Sequence, residues 1–295
     1  MLFTRHALTL HHHRLIVRFM LFQTSVEIPH PSFSIQPFER MLFVGSCFAD
    51  RIGKYFQREK FLASVNPYGV MYNPASICHT VERWLADETN TCRVAFFTLG
   101  TNHVYVSKAT GEVVDNCQKR PQRLFDERLL SIDQCVDELR RAVLLLADRC
   151  PELRVVVTVS PIRYAKYGFH GSALSKAVLL LAADKLQREM PEVVDYFPAY
   201  EIVNDELRDY RFYQPDMLHP SDQAVEYIWQ RFAECYLSAE AKQFIEEWRP
   251  IREALGHRPF NPDSDAYRAF LEGTRQKALA LQQKYPLLQV DELER

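Results

Sequence analysis

Residues 41–49 read Met41-Leu42-Phe43-Val44-Gly45-Ser46-Cys47-Phe48-Ala49. The apolar run Met41–Val44 has the length and composition of a buried strand, and Gly45 ends it. Beyond it, Phe48, Ala49, Ile52, Tyr55 and Phe56 recur at helical spacing. A strand, a tight turn and a helix therefore follow in order, and Gly45-Ser46-Cys47 occupies the turn.

The same alternation continues downstream. Phe61–Val65 reads as a second strand ending in the turn composition Asn66-Pro67-Tyr68-Gly69. Asn73-Pro74 opens a helix, with proline at its first position, and Ile77, Val81, Trp84 and Leu85 form its apolar stripe. Val94–Leu99 is a third strand, stopped by Gly100-Thr101-Asn102. Thr110-Gly111 marks a hairpin tip between residues 104–106 and 113–114. Ser131 with Gln134 predicts a capping box, and Val155–Val159 is a continuous β-branched strand ending at Ser160-Pro161. A helix near 172–189 and a strand over 193–197 follow. Strands alternating with helices imply an α/β fold, a parallel sheet with helices on both faces. Ligands of such sheets bind beyond the C-terminal strand ends. Five turns should gather there: 45–47, 66–69, 100–102, 160–161 and the one after Pro198. Residues 221 to about 285 read as helical, broken at His257–Pro262. This tail is suited to capping the active face or to a homodimer contact. The reading divides the chain into 1–19, 20–240 and a C-terminal helical extension, 241–295.

The bulk numbers agree with one large domain or one domain with an appendage. The 295 residues are 47% hydrophobic and 25% charged, with net charge -2. That balance lacks the basic footprint of a nucleic-acid binder, and no apolar run reaches the ~20 residues that a membrane-spanning helix needs. Seven cysteines without a Cys-x-x-Cys pair point to reduced thiols in a cytoplasmic protein. Residues 1–19, with His11–His13 and no acid, do not fit a signal peptide, and three adjacent histidines are only a weak signal of a metal-binding tract. They read as a disordered leader or a mis-assigned start, with translation beginning at Met20.

The chemistry concentrates in two places, Gly45-Ser46-Cys47 and Asp216-Met217-Leu218-His219-Pro220. A nucleophile on a strand-to-helix turn sits where the helix N-terminus favours negative charge, which suits a thiolate or an oxyanion. Asp216 and His219 on one loop can act together, the histidine as general base and the aspartate orienting it. Either motif alone is common; together, at the two ends of a βα chain, they are specific. A metal site built from His79, His103, Asp216 and His219 matches no ligand spacing, and no cofactor is expected.

Residues 43–49 resemble the signature that names the GSCFA domain family. So do Asn66-Pro67-Tyr68-Gly69-Val70, Thr98-Leu99-Gly100-Thr101, Ser160-Pro161-Ile162-Arg163, residues 209–213 and residues 257–261. The resemblance spans about Met20 to Tyr285. It implies membership of the SGNH-hydrolase clan, a flavodoxin-like three-layer α/β/α sandwich, and ester or acyl chemistry. The clan's first block is Gly-Asp-Ser. Laid over this chain without a gap, Gly45 takes the glycine, Ser46 the aspartate and Cys47 the serine, so both Cys47 and Ser46 stand as nucleophile candidates. For the oxyanion hole the resemblance implies Gly69 and Asn102. Asn102 stands where the family carries a bulky aromatic residue, and Asn116 is its rival, with Gln118 where histidine is expected. Arg163 and Arg211 lie in motifs that could face the site and suit an anionic substrate or a carrier phosphate.

The function expected from the sequence is an esterase or acyltransferase acting on a small or carbohydrate-like acyl ester, with no nucleic-acid or membrane partner. The alternative is a non-catalytic small-molecule or glycan-binding module on the same fold.

Overall fold

A computed structural model describes residues 23–290 except 116, 118 and 119. The expected leader, 1–19, and the candidate Asn116 lie outside the described residues. β1 (Arg40–Gly45) leads directly into α1 (Cys47–Arg58), and β2 (Leu62–Val65) returns beside it. Then come α2 (Pro74–Leu85), β3 (Val94–Leu99), β4 (His103–Ser107), β5 (Val113–Val114) and β6 (Phe125–Leu129). α3 (Ile132–Arg149), β7 (Arg154–Val159), α4 (Gly168–Glu189) and β8 (Val194–Tyr196) complete the alternation. α5 (Ala199–Glu201) runs on into a π-helical turn, Ile202–Leu207, before α6 (Asp222–Tyr236), α7 (Ala239–Gly256) and α8 (Asp265–Lys284).

The main sheet has order β2-β1-β3-β7-β8, with every neighbouring pair parallel. This is the doubly wound flavodoxin-like order, and the fold is a three-layer α/β/α sandwich. Its strands are apolar on both faces because both are covered: all six residues of β3 are buried. On one face Leu42, Val44, Ala95, Phe97, Val155 and Val157 pack against α2, α3 and α4. On the other, Met41, Phe43, Phe96 and Val156 meet Phe48, Ile52 and Phe56 of α1 and Ile228 and Phe232 of α6. A separate cluster joins Phe38 to Phe244, Trp248 and Ile251 of α7 and Ala278 and Leu281 of α8. The Trp248 indole N–H donates to the Arg58 carbonyl (3.1 Å), which ties this helical extension to the end of α1.

The predicted caps form. The Ser131–Gln134 capping box is present, and the Asn73 side chain accepts from the Ser76 N–H (2.9 Å). The structure adds β6, which pairs antiparallel with β4 beside the short β5. Phe125-Asp126-Glu127-Arg128-Leu129 carries three consecutive charges, so no local apolar pattern announces a strand; pairing with β4 creates it. The tail breaks at Leu237-Ser238 as well as after Gly256. Ser238 caps α7 by accepting from the Ala241 N–H (3.0 Å). Among the described residues, no helix is long and apolar enough to cross a membrane.

The register sets the site. Gly45 pairs with Thr98, and Thr98 with Thr158. Gly45 has φ +147°, and a Cβ there would fall inside contact distance of the Thr98 carbonyl and hydroxyl oxygens. Gly45→Ala is therefore expected to destabilise the fold by on the order of 3 kcal/mol, from overpacking and backbone strain together. Urea denaturation checks this; an unshifted midpoint would mean the turn relaxes freely.

Candidate active site

Ser46 and Cys47 are neighbours with opposite fates. Ser46 is the N-cap of α1 and is fully buried. Its hydroxyl accepts from the Phe48 N–H (3.2 Å) and shares a hydrogen bond with the Thr98 hydroxyl (3.1 Å). Cys47, the first helical residue, is partly exposed. Its thiol lies 3.9 Å from the Tyr72 hydroxyl. Its own N–H, at the start of the helix, has no carbonyl one turn back to bond.

Asn66 locks this turn from beneath. Its side-chain oxygen accepts from the Gly45 N–H (2.9 Å), and its amide donates to the Asp50 carboxylate (2.6 Å). Tyr72 is held by its backbone: its carbonyl accepts from the N–H groups of Gly100 (2.9 Å) and Thr101 (2.8 Å) at the end of β3. Its ring stands edge-on to Tyr164 at 5.9 Å. Burial, then the nearby Cys47 and Asp50, push the Tyr72 phenol up to about 12, so it stays a proton donor at neutral pH. The loops after β1, β2, β3 and β7 thus gather at one sheet edge, where the sequence places them.

Beneath them lies Lys176, which α4 buries to 3% exposure. Its ammonium donates to the carbonyls of Gly100 (2.8 Å) and Ser160 (2.6 Å), the ends of β3 and β7, and sits 5.1 Å from the Tyr164 ring centre. Burial lowers it to about 7.

Asp216 and His219 form a pair. Asp216 accepts from the backbone N–H groups of Leu218 (2.8 Å) and His219 (3.0 Å), and its second oxygen bonds His219 Nδ1 (2.6 Å). Those backbone bonds, then the imidazole, hold the exposed carboxylate at about 2. An ionised acceptor at Nδ1 fixes the proton there and leaves Nε2 as the basic nitrogen; Nε2 takes no partner among the described residues. Arg51 docks the end of this loop on α1, one turn beyond Cys47. It donates to the Pro220 carbonyl (2.7 Å) and pairs with Asp222. Arg163 holds the loop from the β7 side: its N–H bonds the Leu218 carbonyl (3.0 Å) and its guanidinium the Met217 carbonyl (3.1 Å). No direct hydrogen bond joins His219 to Cys47 or Ser46. Catalytic hydrogen bonds commonly tighten only around substrate.

The other candidates are placed as follows. The Gly69 N–H closes a turn on the Asn66 carbonyl (2.8 Å). The Asn102 amide donates to the Leu130 carbonyl (2.8 Å). The Gly69 N–H is thereby committed, and the Asn102 amide spends one of its two N–H donors on that carbonyl. Arg211 pairs with Asp209 (3.2 Å) and is exposed. His79 bonds Asp115 (2.8 Å) and His103 bonds Glu127 (2.7 Å), each apart from the Asp216–His219 pair. No group of three or more His, Cys, Asp or Glu side chains suited to a metal ion occurs among the described residues. Tyr72, Tyr164, Lys176 and Arg51 carry no sequence motif; only their position in the fold brings them here.

These features define a flavodoxin-like α/β protein with a thiol at its first strand-to-helix turn and an Asp–His pair on a loop docked to the same helix. The GSCFA family model matches residues 40–93 and 87–232, and the model of the C-terminal domain of GSCFA domain proteins matches 248–294. The chain belongs to the GSCFA family. No curated protein matches it. Among solved structures, it is similar to a GDSL-like lipase from Bacteroides thetaiotaomicron: 14% identity, 72% of this chain, 92% of that chain, TM-score 0.42. It is also similar to an acetyl esterase mutant with acetate ion (12%, 70% and 99%, TM-score 0.40). A carbohydrate esterase of family 3 from Talaromyces cellulolyticus matches at 10% identity over 70% of this chain and 99% of that one, TM-score 0.37.

Proposed function

We propose that the protein is an acyl-ester hydrolase with Cys47 as nucleophile, His219 as general base and Asp216 as its orienting partner. The observation that carries this is the contrast at the turn. The Ser46 hydroxyl is buried and spent on the Phe48 N–H and Thr98, whereas the Cys47 thiol is partly exposed at the helix start. Sγ attacks the ester carbonyl and its proton passes to His219 Nε2. The developing oxyanion meets the Cys47 N–H and the Tyr72 hydroxyl, which takes the role first expected of Gly69 and Asn102. Collapse expels the alcohol, which takes the proton from His219. Water, deprotonated by the same imidazole, then cleaves the thioester and restores the thiol. An alcohol in place of that water would make the same chemistry acyl transfer.

Trapping with p-nitrophenyl acetate and peptide mass spectrometry tests the assignment. An acetyl group is expected on Cys47, and acetylation of Ser46 or of neither would refute it. Ser46→Ala should still acylate at Cys47, while losing about 1 kcal/mol of stability with the N-cap.

A further inference from the structure

We propose that the cavity beside the Asp216–His219 loop is a subsite for an anionic sugar unit, a pyranose ring carrying a carboxylate or a phosphate. This deepens the esterase reading and rests on it, since the sugar would belong to the ester being cleaved. The cavity has a volume of about 260 Å³, and Arg163, Arg208, Asp209, Tyr210 and Tyr213 line it.

Its charge is positive once pairs are counted. Asp209 is neutralised from outside: it accepts from the Arg211 N–H (2.8 Å) and pairs with the Arg211 guanidinium (3.2 Å). Arg208 reaches Asp205 only at 3.9 Å, with both side chains exposed, a weak pairing in water. Arg163 faces no carboxylate among the described residues. Its guanidinium packs over Phe169 (4.2 Å), lies 5.5 Å from the Tyr213 ring, and is pinned by the Met217 carbonyl (3.1 Å). A fork so held loses little freedom on binding, and its geometry matches a carboxylate or phosphate.

The aromatic lining supplies a ring platform. Tyr210 is 68% exposed, with its ring 6.4 Å from that of Tyr213; both present an apolar face with a polar tip. Arg208 itself has φ +28° directly after the π-helical turn. Such turns and such strained residues concentrate at functional positions. The location fits: Arg163 bonds the Leu218 carbonyl (3.0 Å) and Gln214 the His219 carbonyl (2.7 Å). The lining residue Arg163 is thus bonded directly to the loop that carries the proposed base.

Binding can be read without turnover, which separates failure of this subsite from failure of the acyl chemistry. The protein is titrated with glucuronate, glucose 6-phosphate and glucose, followed by NMR. At least one anion is expected to bind about 10-fold or more tightly than glucose, the effect of one charge-assisted contact. Preference for glucuronate assigns a carboxylate, preference for glucose 6-phosphate a phosphate. Arg208→Gln, at an exposed side chain, should reduce the preference several-fold, the Arg163 fork keeping the remainder. Equal binding of all three, no binding, or a preference unchanged in Arg208→Gln would overturn the proposal.

Discussion

His219→Ala and Cys47→Ala are each expected to lower kcat/KM toward p-nitrophenyl acetate by about 10³-fold or more, as loss of a base or nucleophile does. The double variant should lose no more than the worse single one, because the two groups act as a unit. Asp216→Asn tests the orienting role: an amide can donate where the carboxylate only accepts, so it no longer selects the Nδ1–H tautomer. Its loss should fall in kcat more than in KM. Tyr72→Phe keeps the ring against Tyr164 and removes only the hydroxyl 3.9 Å from the thiol. A drop of about 10²-fold in kcat is expected if that hydroxyl meets the oxyanion. Undiminished turnover in both Cys47→Ala and His219→Ala would leave the binding-module reading in its place.

The second large effect concerns stability and Lys176. Burial lowers its ammonium to about 7 from an ordinary 10.5, and burial is the sole cause. Among the described residues no carboxylate pairs with it; the groups facing it are the carbonyls of Gly100 and Ser160 and the Tyr164 ring. Between pH 7 and 10.5 the unfolded chain therefore holds a proton that the folded chain has released. Stability contributed by this group rises with pH across that window, by on the order of a few kcal/mol in total. Lys176→Met removes that rise. It also strands two carbonyls, at about 1–3 kcal/mol each, so the deficit of the variant should be greatest near pH 10 and smallest below pH 7. Cys78 and Cys135, pushed up to about 12 by burial, work in the opposite direction in both proteins. The quantity to measure is accordingly the difference between the two urea-midpoint curves. A difference that stays constant from pH 6 to pH 10 would show that Lys176 does not titrate in this range.

Much of the fold was legible because it is written locally. Residues 41–58 declare strand, turn and helix through the change of apolar period, and the Ser131 capping box and the Asn73-Pro74 start formed where they were read. β6 was not legible, since its charges make sense only beside β4. The Asp216–His219 pairing was legible because four residues of one loop suffice to build it. Which of Ser46 and Cys47 is buried was not. It depends on Thr98, a partner 52 residues away, whose hydroxyl draws Ser46 inward. Asn102 likewise reads as a free donor until Leu130, just beyond β6, takes one of its N–H groups. Lys176 reads as one more solvated lysine in an amphipathic helix until two strand-end carbonyls converge on it.

The chain alone therefore determined the order of its layers and the identity of its Asp–His pair, because hydrophobic period and short-range hydrogen bonds act over a few residues. Which side chain keeps its hydroxyl or thiol available, which amides are consumed, and where a buried cation sits were decided only by tertiary structure. Those outcomes depend on which distant groups compete for the same donor or acceptor, and strand register and helix packing bring such groups together across separations of 16 to 76 residues.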